Sequence, residues 1–339
     1  MLRQRSRIAG AAVAAAVLAA GGLVALAGLG AAAAGAASPE KRATAVGSQV
    51  TTTLSPQAVL VTPGQPAGDT ISSTNSGSRP LEVTWIAAPL ATSGVTVTPA
   101  TGTVTIAPGA TVSTSLTISS DAITPGTALV PFTVSVAAGR SRLPAVGAYL
   151  TVTTPDGSLA DTFDNAGISD DSAPAAGNLD GDGDSYSAQA LAAAGITPGG
   201  TVTSDGVTFT WPDVAAGTFD NVIAASQTVL VSGSGPLLGF LGTAVNGAYT
   251  ETGIVYYADG SSQSFTISFV NWTNGSPPAG DTVVATTSYL NTPTGQLTKK
   301  RYLYGAFVPL EAGQTVEAVE LPSAGSGDTG IHIFTVAVG

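Results

Sequence analysis

Apolar and polar residues alternate along most of the chain beyond residue 51, as they do in strands that bury one face. In the run 111–119, for example, Val112, Leu116 and Ile118 share one face. Turn signals such as Pro108-Gly109 separate these runs at short intervals. The pattern leaves room for about seven short strands up to residue 154 and predicts an immunoglobulin-like β-sandwich over 51–154.

The second half of the chain, 155–339, shows the same strand-and-turn pattern after a short joint at Pro155-Asp156-Gly157-Ser158. About eight runs have strand character, and no segment has a convincing amphipathic helical period. One alanine-rich stretch, Ser187 to Ala194, is short and helix-like, and we expect it to pack as a cap. We therefore predict an all-β protein: an immunoglobulin-like β-sandwich followed by a β jelly-roll sandwich.

The first 37 residues differ from the rest and are typical of a secretory signal peptide. Three arginines at positions 3, 5 and 7 precede an apolar run from Ile8 to about Leu29, and small residues follow to Ala37. The run is also long enough to span a bilayer, so an uncleaved membrane anchor is the alternative. Residues 38–50 follow as a flexible lead. We expect a protein that is secreted or held at the cell surface.

Charge and cysteine content narrow the partners. The chain has 22 acidic and 11 basic residues, and removal of the leader leaves 8 basic residues and a formal charge of −14. Such an acidic surface repels phosphate backbones and anionic lipid, which argues against nucleic acid as a partner. The absence of cysteine means that burial of apolar cores, rather than disulfides, must stabilise the exported chain.

The densest chemical motif is the acidic loop Asn178-Leu179-Asp180-Gly181-Asp182-Gly183-Asp184-Ser185. Alternating carboxylates on a glycine-hinged loop suit a hard cation such as calcium, and Asp164 lies a short way upstream. The match to an EF-hand fails, because position six is Ser185 and position twelve is Leu191. A non-helical calcium site at Asp164, Asp180, Asp182 and Asp184 remains, and a solvated turn is the alternative.

Two segments resemble known families. Val61-Thr62-Pro63-Gly64, Thr74-Asn75-Ser76-Gly77 and Ile106-Ala107-Pro108-Gly109 resemble the alpha-galactosidase-associated immunoglobulin-like domain. That resemblance implies a spacer over 51–154. We expect Trp85 in its core, because Val83 and Ala87 share its strand face, and a ligand platform is the alternative. Phe163 to Asp171, Gly206 to Pro212 and Tyr257 to Ser261 resemble the galactose-binding-like jelly-roll modules of secreted bacterial glycoside hydrolases. This chain has Asn271-Trp272 where such modules commonly carry Asp-Trp, so a charge-dependent role there is in doubt.

The second resemblance implies a carbohydrate ligand, and sugar recognition needs flat aromatic faces beside short polar side chains. Trp272 beside Asn271 is the first candidate for an exposed stacking platform, with a core position as the alternative. Trp211 ends a strand and is the second candidate. Tyr186 adjoins the acidic loop, which would let a sugar site and a calcium site share a rim. We expect a polysaccharide or cell-wall glycan as the partner.

Two other functions remain open. One is a structural or adhesion protein that contacts cell-surface proteins, in which the acidic loop is a turn. The other is a weak hydrolase, since Gly183-Asp184-Ser185-Tyr186 brings to mind the nucleophile block of the GDSL hydrolases. In that family the fold is α/β and the histidine follows an aspartate more closely than His332 follows Asp328. The sequence therefore favours a non-catalytic binding protein.

Overall fold

The computed structural model describes residues 49–62, 64–90, 93–121, 125–325 and 329–339. The predicted leader 1–37 and most of the lead 38–50 lie outside these residues. All described residues belong to one compact unit, Pro39–Gly339. They form β-strands joined by turns, with one short α-helix among them. The predicted all-β sandwich fold is confirmed. None of the described helices is long and apolar enough to cross a membrane.

Residues 50–154 form two antiparallel sheets, which we call the N-terminal sandwich. One sheet has the order β1-β3-β7-β5 and the other the order β2-β9-β8-β4-β6, with β2 parallel to β9. The strands are β1 Val50–Ser55, β2 Ala58–Leu60, β3 Ala67–Asn75, β4 Leu81–Ala87, β5 Val95–Thr98, β6 Thr101–Ile106, β7 Thr111–Ser120, β8 Gly126–Ala138 and β9 Ser141–Thr154.

The alternation seen in the sequence decides which side of each strand is buried. In β4, Val83, Trp85 and Ala87 point inward, and the intervening Glu82 and Ile86 point outward. Trp85 is buried and packs against Phe132, with 6.1 Å between the ring centres. The prediction that Trp85 belongs to the core is confirmed. One apolar cluster fills the space between the two sheets.

Residues 157–339 form the C-terminal sandwich. Its strands are β10 Ile168–Ser169, β11 Ser185–Ser187, β12 Thr201–Ser204, β13 Val207–Thr210, β14 Val222–Ile223, β15 Thr228–Ser234, β16 Leu237–Val245, β17 Tyr249–Tyr257, β18 Ser262–Phe269, β19 Thr282–Thr287, β20 Leu290–Thr292, β21 Gly295–Leu297, β22 Arg301–Pro309, β23 Thr315–Glu320 and β24 Gly330–Val338. The helix α1 Ala188–Ala193 begins where Ser187 Oγ accepts a hydrogen bond of 3.1 Å from Ala190 N, so the predicted helical stretch is confirmed.

The C-terminal sandwich has a covered central sheet. The sheet β14-β24-β16-β22-β19 packs one face against the sheet β15-β23-β17-β18. Its other face is covered by the small sheet β10-β11-β20-β21, the hairpin β12-β13 and α1, which enclose a second apolar cluster. Strands β16 and β24 are therefore buried on both sides over most of their length. This third layer is the difference from the plain jelly roll that the eight strand-like runs predicted.

Candidate functional site

The acidic loop 178–184 is held in place by its own side chains. Asn178 Oδ1 accepts hydrogen bonds of 2.8 Å from the backbone N–H groups of Gly181 and Gly183. Asp180 Oδ1 accepts bonds of 3.1 Å from Asp182 N and Asp184 N. Both glycines have positive φ, near +86° and +88°, which lets the chain turn tightly around these oxygens. The loop therefore has the structure of a self-capped turn.

The positively charged side chain of Arg301 lies near this loop. Burial raises the pKa of Asp184, and the positive charges of Arg301 and Lys299 act in the opposite direction. Arg301 is 8% exposed, and its guanidinium carbon lies 4.5 Å from the centre of the Trp272 ring. Burial lowers the pKa of Arg301, and the nearby Asp184 opposes that shift. The acidic loop thus receives part of its countercharge from an arginine held on a buried tryptophan.

The four predicted calcium ligands are not assembled into a coordination shell. Among the residues that the structure describes, no group of three or more His, Asp or Glu side chains could hold a metal ion. Asp164 Oδ1 instead accepts a hydrogen bond of 2.9 Å from Ile223 N, and Asp180 Oδ1 is engaged with the backbone of its own loop. Calcium binding at Asp164, Asp180, Asp182 and Asp184 stays a prediction.

The two predicted stacking platforms are buried, so that prediction is wrong for Trp211 and Trp272, and the alternative of a core position holds for Trp272. Tyr186, which was expected at the rim of a sugar site, is buried as well. Their exposures are 2%, 2% and 1%. Trp211 stacks on Phe334, with ring centres 4.9 Å apart and an angle of 17° between the planes. Tyr186 meets Trp272 edge to face at 5.1 Å. The physical reason is the third layer of the fold, which places all three side chains in the second core of the C-terminal sandwich.

Asn271 also has a local structural role. Its Oδ1 accepts hydrogen bonds from Thr273 N and Thr273 Oγ1, at 3.0 and 2.9 Å. Its backbone carbonyl accepts a bond of 3.1 Å from the Tyr304 hydroxyl. The side-chain oxygen therefore shapes the turn after β18, and ligand binding by Asn271 stays a prediction.

Near the acidic loop, the small sheet brings together a polar cluster that the sequence did not single out. The Tyr289 hydroxyl donates to Asp171 Oδ2 at 2.7 Å, and Ser187 Oγ donates to Asp171 Oδ1 at 2.5 Å. Asp171 N donates to Gln189 Oε1, and Gln189 Nε2 donates to Asp170 Oδ2 at 2.6 Å. This network joins the loop after β10 to α1 and to the turn before β20.

A second network is buried between Asn221 and His332. Asp220 accepts hydrogen bonds of 2.9 Å from Gly167 N and Ile168 N and one of 2.7 Å from Asn221 Nδ2. Asn221 Oδ1 lies 2.8 Å from His332 Nδ1. Burial raises the pKa of Asp220 to about 7 and lowers the pKa of His332 to about 4. Both side chains are out of contact with solvent, so this network holds the fold together.

The structure does not bring Ser185 and His332 together as the hydrolase alternative requires. Ser185 and His332 are both fully buried. Ser185 Oγ lies 2.7 Å from Ser169 Oγ, while the His332 ring is bonded to Asn221. The two side chains thus belong to separate networks.

A cleft of about 350 Å³ is lined by residues of both sandwiches. Its N-terminal wall is formed by residues around β2 and the start of β3, and its C-terminal wall by the turn between β17 and β18 together with β23. The lining residues are Val59, Leu60, Thr62, Gln65, Pro66, Ala67, Gly68, Tyr256, Tyr257, Ala258, Asp259, Gly260, Ser261 and Glu317. The volume falls in the range of about 300–1,000 Å³ that small-molecule sites occupy.

The cleft has a mixed polar and apolar wall. Burial raises the pKa of the Glu317 carboxyl group. Asp259 is tied to the wall itself, because its Oδ1 accepts from Ser261 N and Ser261 Oγ and its Oδ2 accepts from Gln314 Nε2. Glu317 is therefore the carboxylate of the lining that is best placed to bind a ligand.

Beside the cleft, one side-chain contact joins the two sandwiches. The Tyr256 hydroxyl donates to Glu320 Oε2 at 3.1 Å and lies 3.4 Å from Thr153 Oγ1. Tyr256 is 4% exposed, so this contact is buried. The sequence pattern does not reveal the cleft because its two walls are about 190 to 260 residues apart along the chain, as with Leu60 and Glu317. A weak signal was present in the polar turn Asp259-Gly260-Ser261.

Comparisons with solved structures give distant likenesses. The chain is 9% identical to WR4, an MSP family member of C. elegans, with a TM-score of 0.23; the match covers 30% of this chain and 96% of WR4. The chain is 12% identical to the secreted serine protease VesC of Vibrio cholerae, with a TM-score of 0.32; the match covers 83% of this chain and 48% of VesC. The apo CBD1 domain of Calx is 10% identical, with a TM-score of 0.25, and the match covers 32% of this chain and all of that domain. These TM-scores are too low to assign the chain to any of the three.

No curated protein matches the chain. A family model does match, over residues 157–339, which is the whole of the C-terminal sandwich and more than half of the chain. The match agrees with the packed sheets and buried aromatic residues described above. The chain belongs to the AziU2-like β-sandwich domain family.

Proposed function

We propose that this protein is a non-catalytic, extracellular binding protein that holds a neutral glycan in the cleft between its two sandwiches. The observation that carries the proposal is the cleft itself, with a volume of about 350 Å³ and a lining of hydroxyl, amide and carboxylate groups beside apolar side chains. The resemblance of both halves to accessory modules of secreted glycoside hydrolases agrees with it. Because Trp211 and Trp272 are buried, the apolar part of the cleft wall provides the apolar contact with the sugar.

The lining suits the chemistry of a sugar. A pyranose has a rim of hydroxyl groups and an apolar C–H face, so it needs donors and acceptors on one side and apolar contact on the other. Glu317 accepts hydrogen bonds from hydroxyl groups, while Thr62 and Ser261 both donate and accept. Leu60 and Pro66 supply apolar contact. The acidic charge of the chain opposes anionic ligands, which favours a neutral sugar.

The test measures retention of the full chain on a panel of soluble and insoluble polysaccharides. Gly68 lines the cleft, and a Cβ atom added there meets no other atom within 4 Å, so Gly68→Tyr fills the cleft without disturbing the fold. Glu317→Gln removes the accepting charge. We expect both substitutions to reduce retention on one glycan class by about tenfold or more, since each good contact is worth about 1.4 kcal/mol or more.

Two matched variants serve as controls. Leu297→Tyr adds the same side chain on β21, at a position that is 38% exposed and is not part of the cleft lining. Glu251→Gln removes a carboxylate from β17, the strand that also carries the cleft residue Tyr256. Equal loss in the controls, or no retention of the unmodified chain on any glycan, contradicts the proposal. Repeating the assay with calcium and with chelator tests whether calcium assists binding.

A further inference from the structure

The outer face of the five-stranded sheet in the N-terminal sandwich carries an uncovered apolar patch. Ile86 on β4, Leu129 on β8 and Tyr149 on β9 are 51%, 60% and 58% exposed. Pro131 lies directly opposite Tyr149, and Leu129 is two residues from Pro131 on the same side of β8. These side chains are neighbours on one flat surface, so the exposure is a contiguous patch and not a scatter of single residues.

The same five strands are almost free of charge. In a chain with a formal charge of −11, β2, β4, β6, β8 and β9 contain two charged residues, Glu82 and Arg142. An almost uncharged face brings few like charges into contact when two copies of an acidic chain meet on it. A second copy of the chain is therefore a partner that this face can accept.

The register of the sheet makes the two charges self-complementary. Glu82 and Arg142 both lie beside Ala137, one on each side of β8. They are two strand spacings apart, about 10 Å between their backbones. A two-fold axis parallel to β8 between two such faces places β4 of one copy over β9 of the other. Glu82 of each copy then faces Arg142 of the other copy.

The same rotation matches the apolar residues. Ile86 and Gly147 both lie beside Thr133, on opposite sides of β8. The two-fold axis therefore places Ile86 of one copy over Gly147 of the other, where the missing side chain leaves room next to Tyr149. Leu129 and Pro131 lie on the central strand β8, close to the axis, and meet their own counterparts.

The area of the face agrees with a dimer. Each strand residue covers roughly 16 Å² of a sheet face, since strands lie about 4.8 Å apart and rise about 3.3 Å per residue. The seven and thirteen residues of β4 and β8 and the twelve residues 141–152 of β9 then offer roughly 510 Å². The end of β9 is left out because Thr153 is buried beside Tyr256 of the C-terminal sandwich, and β2 is left out because Leu60 lines the cleft. The edge strand β6 adds roughly 95 Å². A stable interface of standard size buries about 800 Å² per partner, so about three quarters of that area is available.

We infer that the chain forms a two-fold symmetric homodimer through the outer face of β4, β8 and β9, with Glu82 paired to Arg142 across the interface. The cleft with Glu317 meets this sheet at its β2 edge, through Leu60. The two proposals are tested by different substitutions, at Gly68 and Glu317 for the cleft and at Gly147, Glu82 and Arg142 for the dimer.

Sedimentation velocity of the full chain, in the form in which the producing cells process it, tests the inference. We expect a dimer at micromolar concentration. Gly147→Glu places a carboxylate at the centre of the interface in each copy, and the monomer has room for it. We expect it to weaken association by more than about a hundredfold, because symmetry doubles the effect of each unpaired buried charge. Far-UV and near-UV circular dichroism should show an unchanged fold.

A charge exchange tests the orientation. Glu82→Arg alone should weaken the dimer by about tenfold, and adding Arg142→Glu to it should restore association. Phe219→Glu, at a side chain that is 59% exposed on the C-terminal sandwich, should leave the dimer intact. A wild-type chain that stays monomeric at high micromolar concentration, or a Gly147→Glu variant that associates as the wild type does, overturns the inference.

Discussion

The chain has a single histidine, His332, and its burial predicts that the folded state loses stability in acid. His332 is fully buried on β24, and Asn221 Oδ1 lies 2.8 Å from its Nδ1. Asn221 Nδ2 already donates to Asp220 and to Asn165, so the amide oxygen must accept. Nδ1 therefore carries the proton, and the bare Nε2 is buried without a partner. A second proton on Nε2 would create an imidazolium with no nearby solvent.

The size of the effect follows from the pKa. Burial lowers the pKa of His332 from an ordinary 6.5 to about 4. The neutral form is the one that the folded state favours, so the contribution to stability is fully present above pH 6.5. It is lost progressively as the pH falls towards 4. At 1.36 kcal/mol per pH unit the loss amounts to about 3 kcal/mol of the free energy of unfolding.

The assay compares urea unfolding of the wild type and of His332→Asn between pH 7 and pH 4. Asparagine keeps a donor near the position of Nδ1 but cannot be protonated in this range, so the stability difference between the two proteins should shrink or reverse at low pH. Comparison with the variant is needed because Asp220, whose raised pKa is about 7, contributes with the opposite sign and loses stability as the pH rises.

Thr243→Val is the matched control. Thr243 is fully buried and pairs with His332 across the neighbouring strand, but it does not titrate. Its effect on stability should be the same at both pH values. A difference between wild type and His332→Asn that does not change with pH, or an imidazole that titrates near 6.5 by NMR, would refute the reasoning.

Two further predictions concern packing and charge. Gly102→Ala should lower the free energy of unfolding by about 1–3 kcal/mol in a urea titration, because its Cβ atom would lie 2.6 Å from the Trp85 ring. Gly147→Ala is the control, because open space surrounds its Cβ atom, and it should change the free energy of unfolding by less than about 0.5 kcal/mol. Arg301→Met should raise the pKa of the Asp184 carboxyl group, because Arg301 is among the charges that lower it; NMR measures this pKa. Lys300→Met, at a solvent-exposed position next along the chain, is the control, and equal pKa shifts in both variants would contradict the assignment.

Local pattern was enough to predict much of the fold. Alternation with a period of two marks one side of a strand as apolar whatever its neighbours are, so Val83, Trp85 and Ala87 were correctly expected to point inward. The helix at 188–193 was likewise visible from its alanines and from a serine that caps it. These features depend on contacts between residues that are close in sequence.

Burial of the candidate site residues depended on long-range pairing. Trp272 and Trp211 end strands or begin turns, where a sequence cannot distinguish an exposed ring from a covered one. They are covered because β11 pairs with β20, more than 100 residues away, and so lays the small sheet over the central one. The charge environment of the acidic loop also depends on long-range pairing, since its neighbour Arg301 belongs to β22, more than 100 residues further along the chain.

By itself the sequence determined the all-β class, the inward face of the strands of the N-terminal sandwich and the positions of the main turns. The tertiary structure alone decided which aromatic side chains are hidden, that Asp220, Asn221 and His332 share a buried network, and that a cleft opens between β2–β3 and the β17–β18 turn. The physical reason is that hydrophobic periodicity reports how one strand is buried, whereas sites form where strands distant in sequence meet.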